Sequence, residues 1–171
     1  MKKRTKIILI LASLPLVFMV LCYYGNYVYI TKFWFPKWLK EANERRSILL
    51  YKTDHAALLD GCRKLIKESR EGKWPEETYD VSFRPHPDSA KLPETILKLN
   101  PTVVFIENDR VMIAMSGGLD HFGVHYFSEG FSEAEQKKWG GKKLLDGLWY
   151  YDDRYRKATN SEQYIESLRP E

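Results

Sequence analysis

Cysteine is scarce in this chain, with two among 171 residues. Cys22 lies inside an apolar stretch and Cys62 lies within a predicted helix, so the two are not expected to form a disulfide. The sequence therefore lacks the disulfide framework that holds many small secreted domains together. Internal repeats and low-complexity runs are also absent. Aromatic residues, in contrast, make up 14% of the chain, which lets a short domain build a hydrophobic core.

The larger part of the chain has no excess of positive charge. Residues 47–171 contain 18 Lys or Arg and 21 Asp or Glu, a net charge of −3, whereas residues 1–46 have a net charge of +7. Proteins that bind nucleic acid concentrate positive charge on the folded domain. The distribution therefore argues against a nucleic-acid partner.

The standard catalytic and cofactor-binding signatures are missing as well. The sequence has no phosphate-binding glycine loop with a lysine, no dinucleotide fingerprint, no H-E-x-x-H, no paired C-x-x-C and no nucleophile elbow. No cofactor is predicted on these grounds, and an enzyme is the less favoured interpretation.

One long stretch, residues 7–30, carries no charged residue. Its most apolar part, residues 7–24, would rise about 27 Å as a helix, close to the roughly 30 Å hydrocarbon core of a bilayer. We expect an uncleaved transmembrane helix over residues 7–30, followed by aromatic residues at the membrane interface. A cleaved signal peptide is one alternative, but no pair of small residues follows the apolar run. A buried soluble helix is another.

Charge on the two sides of this stretch bears on orientation. The short N-terminal tail contains Lys2, Lys3, Arg4 and Lys6, which favours a cytoplasmic N-terminus and a domain outside the cytoplasm. The other flank opposes that preference, because it contains Lys32, Lys37, Lys40, Arg45 and Arg46. The predicted organisation is a tail and anchor (1–30), a juxtamembrane connector (31–52), a globular domain (53–156) and a polar C-terminal tail (157–171).

Hydrophobic periodicity and turn residues predict the elements of the domain. Thr53 is expected to cap a helix over residues 54–70, residues 72–92 are expected to form an irregular loop, and Pro93 opens a short helix. Strands are predicted at 102–107, 110–116, 121–127 and 144–151, with Asp146-Gly147 as a turn or bulge in the last. Ser132 and Glu135 have the spacing of a capping box. The predicted fold class is α+β, with a long helix packed on an antiparallel sheet of about four strands.

The best candidate for a site is the segment containing Asp120, His121 and His125. Alternation along a strand would place both histidines on one face beside Gly123, with Asp120 near enough to orient a ring or to act as a third ligand. Imidazole and carboxylate suit zinc or general-base chemistry. Two histidines are a weak signal, so no metal is assigned. The alternatives are contact with a ligand or partner, and a polar sheet face without a functional role.

A second candidate is the aromatic segment of Trp149 and Tyr151, which precedes Asp152 and Asp153. Aromatic rings followed by carboxylates suit a sugar or a cation as ligand. The simpler interpretation is that alternate rings enter the core and the carboxylates end the strand.

Two strings in this region, GGLDHFGV (117–124) and DGLWYYDD (146–153), have Asp54-His55 upstream. In these features the chain resembles uncharacterised bacterial exported or membrane-anchored proteins, over roughly residues 53–153. The resemblance implies a bacterial origin and a domain outside the cytoplasm. It implies no activity.

Together these observations predict a single-pass membrane protein whose domain is a non-enzymatic binding or interaction module. Its expected partners are the lipid bilayer, through residues 7–30, and a protein at the membrane. The alternative is a small metal-dependent or hydrolytic enzyme that uses Asp120, His121 and His125.

Overall fold

The computed structural model describes residues 19–107, 109–116 and 121–170. The chain divides into two units, Met1–Ala42 and Asn43–Glu171. In the first unit, a helix over residues 19–29 (α1) is followed by a π-helical turn, Ile30–Trp34, and by the start of α2 (Phe35–Ser47). Most of the large apolar side chains between residues 19 and 35 are exposed.

The predicted membrane anchor lies largely outside the described residues. Its residues 7–18 are not among them. Within the ranges that the structure does describe, no helix is both long enough and apolar enough to cross a membrane.

The second unit contains a six-stranded antiparallel sheet, so the expected count of about four strands was too low. The strands are β1 (Thr78–Asp80), β2 (Val103–Glu107), β3 (Arg110–Ser116), β4 (Phe122–Phe127), β5 (Lys142–Leu145) and β6 (Leu148–Asp152), in the spatial order β1-β2-β3-β4-β6-β5. One extra strand, β1, lies in the predicted loop 72–92. The other arises because Asp146 and Gly147, with φ of +80° at the glycine, form a two-residue turn that divides the predicted fourth strand into a hairpin.

The register places alternate side chains on two faces of the sheet. One face has a fully buried row across the four central strands, formed by Val104, Ile113, Val124 and Tyr150. The second face has a parallel row formed by Phe105, Met112, His125 and Trp149. In this second row, the side chains of β4 and β6 are buried, while those of β2 and β3 are half-buried. On β3, the side chains of Val111, Ile113 and Met115 are buried.

The long helix α3 (His55–Arg70) packs against the sheet and against the short helix α4 (Glu94–Leu97). Its apolar face is buried, as the three- and four-residue spacing predicted. The N-cap is Asp54 and not Thr53, because the carboxylate of Asp54 accepts a hydrogen bond from the backbone N–H of Ala57. Helix α5 (Glu133–Trp139) begins at Ser132 with the predicted capping box to Glu135.

The C-terminal segment is not the polar tail that was predicted. It forms α6 (Asp153–Lys157) and α7 (Ser161–Glu166), and it buries Ile165 and Leu168. The hydroxyl of Tyr51 donates a hydrogen bond of 2.8 Å to the carbonyl of Ile165. These two apolar residues, three positions apart, attach the segment to the core. The segment remains mostly polar in composition, which is why a tail was predicted.

The end of the predicted connector also belongs to the core of the second unit. Leu49 and Leu50 are buried within a π-helical turn, Ile48–Lys52, and Arg46 is completely buried just before it. The burial of these residues makes the chain immediately before α3 part of the fold.

Candidate functional site

The structure separates the residues of the predicted histidine site. Asp120 lies outside the described residues. His121 is exposed and precedes β4, whereas His125 is 4% exposed within it. Four residues of extended chain span roughly 13 Å, and a zinc–nitrogen bond is about 2 Å long. This spacing is unfavourable for a single metal ion held by both rings.

The imidazole of His125 is enclosed by aromatic rings on the second face of the sheet. Its ring centroid lies 4.6 Å from that of Tyr151 and 5.7 Å from that of Phe127. Within the described part of the chain, its Nδ1 has no hydrogen-bond partner. Burial, reinforced by the positive charges of Arg110 and Arg156, lowers the pKa of His125 to about 3. The ring is therefore neutral at physiological pH and is poorly placed to exchange protons with solvent.

The second predicted pair, Trp149 and Tyr151, lies beside His125 and is buried too. The indole Nε1 of Trp149 donates a hydrogen bond of 2.7 Å to Oε1 of Gln136 in α5. The structure thus brings together three of the predicted site residues, His125, Trp149 and Tyr151, as packing beneath α5. Among the described residues, no group of three or more His, Cys, Asp or Glu side chains is arranged to hold a metal ion.

A buried polar network lies on the opposite face of the sheet. Oδ2 of Asp152 accepts hydrogen bonds from Nε of Arg46 at 2.8 Å, from the hydroxyl of Tyr150 at 2.6 Å and from the hydroxyl of Tyr164 at 2.9 Å. Burial raises the pKa of both phenols. Because the carboxylate is fully buried and already has four donors, including the N–H of Arg154, we assign this network to the fold. No local sequence pattern could have joined these distant residues.

A polar concavity lies between α3 and the end of β4. This cleft has a volume of about 420 Å³, and its walls include Arg63, Lys67 and Arg70 from α3 and Tyr126 and Ser128 from β4 and the residue after it. The three cations follow each other at spacings of four and three residues, which places them along one side of the helix. Ile66, Glu71 and Glu129 complete the lining.

Two of the cations in this cleft have exposed acidic partners. Arg63 contacts Asp60 at 3.3 Å, and Arg70 pairs with Asp109, whose pKa the guanidinium lowers. Lys67 forms no ion pair with any residue that the structure describes. Burial raises the pKa of Tyr126 further above neutral pH, and its hydroxyl can donate a hydrogen bond.

A second cavity of about 280 Å³ shares four lining residues with the cleft, namely Arg63, Tyr126, Ser128 and Glu129. Its remaining walls include the rings of Phe127 and Phe131, whose centroids are 5.2 Å apart, and the side chain of Gln136. The two cavities together present a cationic part and an aromatic part. This site was not predicted from the sequence. The spacing of the cations on α3 is visible there, but the position of the end of β4 opposite them depends on the register of the sheet.

Comparisons with family models, with curated proteins and with solved structures give no match to this chain.

Proposed function

We propose that this protein is a membrane-tethered binding or interaction module without catalytic activity, whose globular unit lies outside the cytoplasm. The observation that carries the tether is the exposed apolar surface of the helical segment 19–35. Tyr23 is 77% exposed there and Phe33 is 66% exposed. A continuous apolar surface of this kind is unfavourable in water and indicates contact with lipid or protein.

The composition of this segment favours lipid as its environment. Its aromatic side chains, which are common at membrane interfaces, are followed by Lys32, Lys37 and Lys40. The preceding residues, 7–18, have no charge, so the apolar stretch is continuous through Ile30 in the sequence. These features support insertion of residues 7–30 into a bilayer, with the aromatic residues after position 22 at its surface.

The binding role rests on the missing catalytic signatures and on the chemistry of the two polar clusters. His125 is buried and neutral, and Asp152 is saturated with donors. The polar concavity between α3 and the end of β4 contains cationic and hydroxyl side chains that can bind a ligand, and this supports a module that binds a partner at the membrane.

Thiol labelling tests the tether, because the two cysteines differ in their surroundings. Cys22 is exposed on α1, whereas Cys62 is buried and its pKa is raised to about 12 by burial. The full chain would be reconstituted in phosphatidylcholine liposomes and treated with a membrane-impermeant maleimide. We expect Cys22 to stay unlabelled, while a Lys137→Cys reporter on the exposed side of α5 reacts rapidly in the same liposomes. Equal labelling of both positions would contradict insertion.

The same reporter tests orientation in a bacterial host with a permeabilised outer membrane. A globular unit outside the cytoplasm predicts that Lys137→Cys reacts with the reagent before cell lysis. A Cys22→Ser variant provides the background from Cys62. If Lys137→Cys reacts only after the cells are lysed, the domain lies in the cytoplasm and the proposed orientation is contradicted.

A further inference from the structure

We infer that the cleft between α3 and the end of β4 binds a carboxylate that is attached to an apolar group. Such a ligand is either a free apolar acid or the C-terminus of a protein chain with an apolar last residue. This inference deepens the proposed function, on which it rests, by naming the chemistry that the interaction module recognises.

The cations of the cleft are available to an incoming anion. Lys67 has no ion-pair partner among the described residues, and the pairs of Arg63 with Asp60 and of Arg70 with Asp109 are exposed to solvent. Exposed ion pairs contribute little free energy, so a ligand can compete with the acidic partner at small cost. The guanidinium groups offer paired N–H donors that match a carboxylate.

The charge balance of the lining favours a single negative charge. Arg63 and Arg70 are already paired with Asp60 and Asp109, which leaves Lys67 as the lining cation without an ion pair among the described residues. A monoanion is neutralised in such a site, whereas a dianion would leave an uncompensated charge near Glu71 and Glu129.

Hydrogen-bond donors on the opposite wall complete the polar part of the site. The Tyr126 phenol, whose pKa is raised further by burial, can donate a hydrogen bond through its hydroxyl. The hydroxyl of Ser128 lies 3.4 Å from Nη2 of Arg70, which places a neutral donor beside a cationic one. A carboxylate between the two walls would therefore receive charge-assisted bonds from α3 and neutral bonds from the end of β4.

The adjoining cavity accounts for the apolar part of the ligand. Phe127, which is buried, and Phe131 line this cavity together with the four residues that it shares with the cleft. Phe131 is half-buried and lines this cavity, so part of its side chain is accessible there. An apolar group attached to the bound carboxylate can cover this ring and lose its contact with water.

The test is a calorimetric titration of the full chain in an uncharged detergent. The probes are N-acetylphenylalanine, its amide, 3-phenylpropanoate and acetate. We expect the two aromatic acids to bind with a dissociation constant on the order of 1 mM, and the amide and acetate to bind at least about fivefold more weakly. Tighter binding of N-acetylphenylalanine than of 3-phenylpropanoate indicates a protein C-terminus as the ligand, and the reverse order indicates a free acid.

Variants locate the binding. Lys67→Gln and Arg63→Gln are expected to weaken binding of the aromatic acids about fivefold or more. Lys64→Gln is the matched control, because Lys64 is a neighbouring cation of α3 outside the cleft and pairs with Glu68. Partition of the probes into micelles is the same for each variant, so differences between variants report the cleft. Phe131→Ala should remove the advantage of the aromatic acids over acetate.

The inference would be overturned if neither acid bound saturably, or if the acid and its amide bound with equal affinity. It would also be overturned if Lys64→Gln weakened binding as much as Lys67→Gln, or if Phe131→Ala still preferred the aromatic acids over acetate. Each variant would first be shown to unfold at the temperature of the parent. The labelling of Cys22 in liposomes does not depend on this cleft. Failure of carboxylate binding and failure of the tether are therefore distinguishable.

Discussion

The guanidinium of Arg46 donates a 2.8 Å hydrogen bond to the carboxylate of Asp152, although 106 positions separate the two residues in the chain. Both side chains are completely buried, and the ring of Phe122 lies 4.2 Å from the guanidinium carbon. Because the hydroxyl of Tyr164 donates to the same carboxylate, this ion pair connects α2, β6 and α7. It joins the chain just before α3 to the sheet.

Removing one partner of this pair should be strongly destabilising. We expect Arg46→Met to lower the free energy of unfolding by about 3 to 5 kcal/mol, because Asp152 would remain buried without its cation. Urea unfolding of the full chain in an uncharged detergent, followed by tryptophan fluorescence, measures the change. Lys98→Met, which removes the cation of an exposed pair with Glu94, should change the value by less than about 0.5 kcal/mol.

The double variant Arg46→Met/Asp152→Leu separates the unpaired charge from the loss of packing. It should be more stable than Arg46→Met alone, since no buried charge is left without a partner. If Arg46→Met and Lys98→Met have the same small effect, the buried pair does not contribute to the fold in the way that the geometry indicates.

The buried imidazole of His125 predicts a specific acid sensitivity. The pKa of His125 is about 3 in the folded chain against an ordinary value of 6.5. The unfolded chain therefore binds the proton first, and stability is lost as the pH falls from about 6.5 towards 3. Between pH 7.5 and 4.5 this one group should lower the free energy of unfolding by roughly 2 to 3 kcal/mol.

Two variants isolate this contribution from the carboxylates that titrate over the same range. His125→Leu removes the titrating ring and should lose that part of the pH dependence, whereas His121→Gln, at an exposed position, should keep it. Urea midpoints measured at pH 7.5 and pH 4.5 provide the comparison. An identical pH dependence in the parent and in His125→Leu would show that the ring is not buried as described.

Gly123 allows β4 to approach its neighbours closely. A Cβ atom at this position would overlap the carbonyl oxygen of Ile113 in β3 and would lie 3.0 Å from the ring of Tyr151 in β6. We expect Gly123→Ala to destabilise the protein by about 1 to 3 kcal/mol through overpacking, in the same unfolding assay. Gly25→Ala is the control, since nothing lies within 4 Å of a Cβ atom there. A neutral Gly123→Ala would contradict the described strand spacing.

Much of the local structure could be predicted from the sequence, because its causes are local. The capping box of α5 depends on Ser132 and Glu135, which are three residues apart, and the apolar face of α3 depends on three- and four-residue spacing. In contrast, β1 has three residues, of which Tyr79 is fully buried, and it becomes a strand by pairing with β2. Such tertiary pairing has no signal within a window of a few residues.

The site was harder to predict for the same reason. Alternation along β4 correctly grouped His125 with Gly123, and the β4–β6 register then brought Tyr151 and Trp149 beside them. Alternation alone could not show that α5 covers this face and excludes water from it. The cationic side of α3 was visible as spaced basic residues, but a cleft needs a second wall, and Ser128 belongs to a different part of the chain.

The geometry around the histidines leads to a last prediction, about metal ions. His125 is buried between aromatic rings and lies four residues of extended chain from the exposed His121, so we expect zinc, manganese and calcium to leave the melting temperature of the full chain unchanged within about 1 °C. A His121→Ala variant, which leaves the core packing intact, should respond in the same way. A zinc-specific rise in melting temperature that is lost in His121→Ala would contradict this expectation. It would show that His121 ligates the ion with partners other than the buried ring, and it would revive the metal-dependent enzyme as the function.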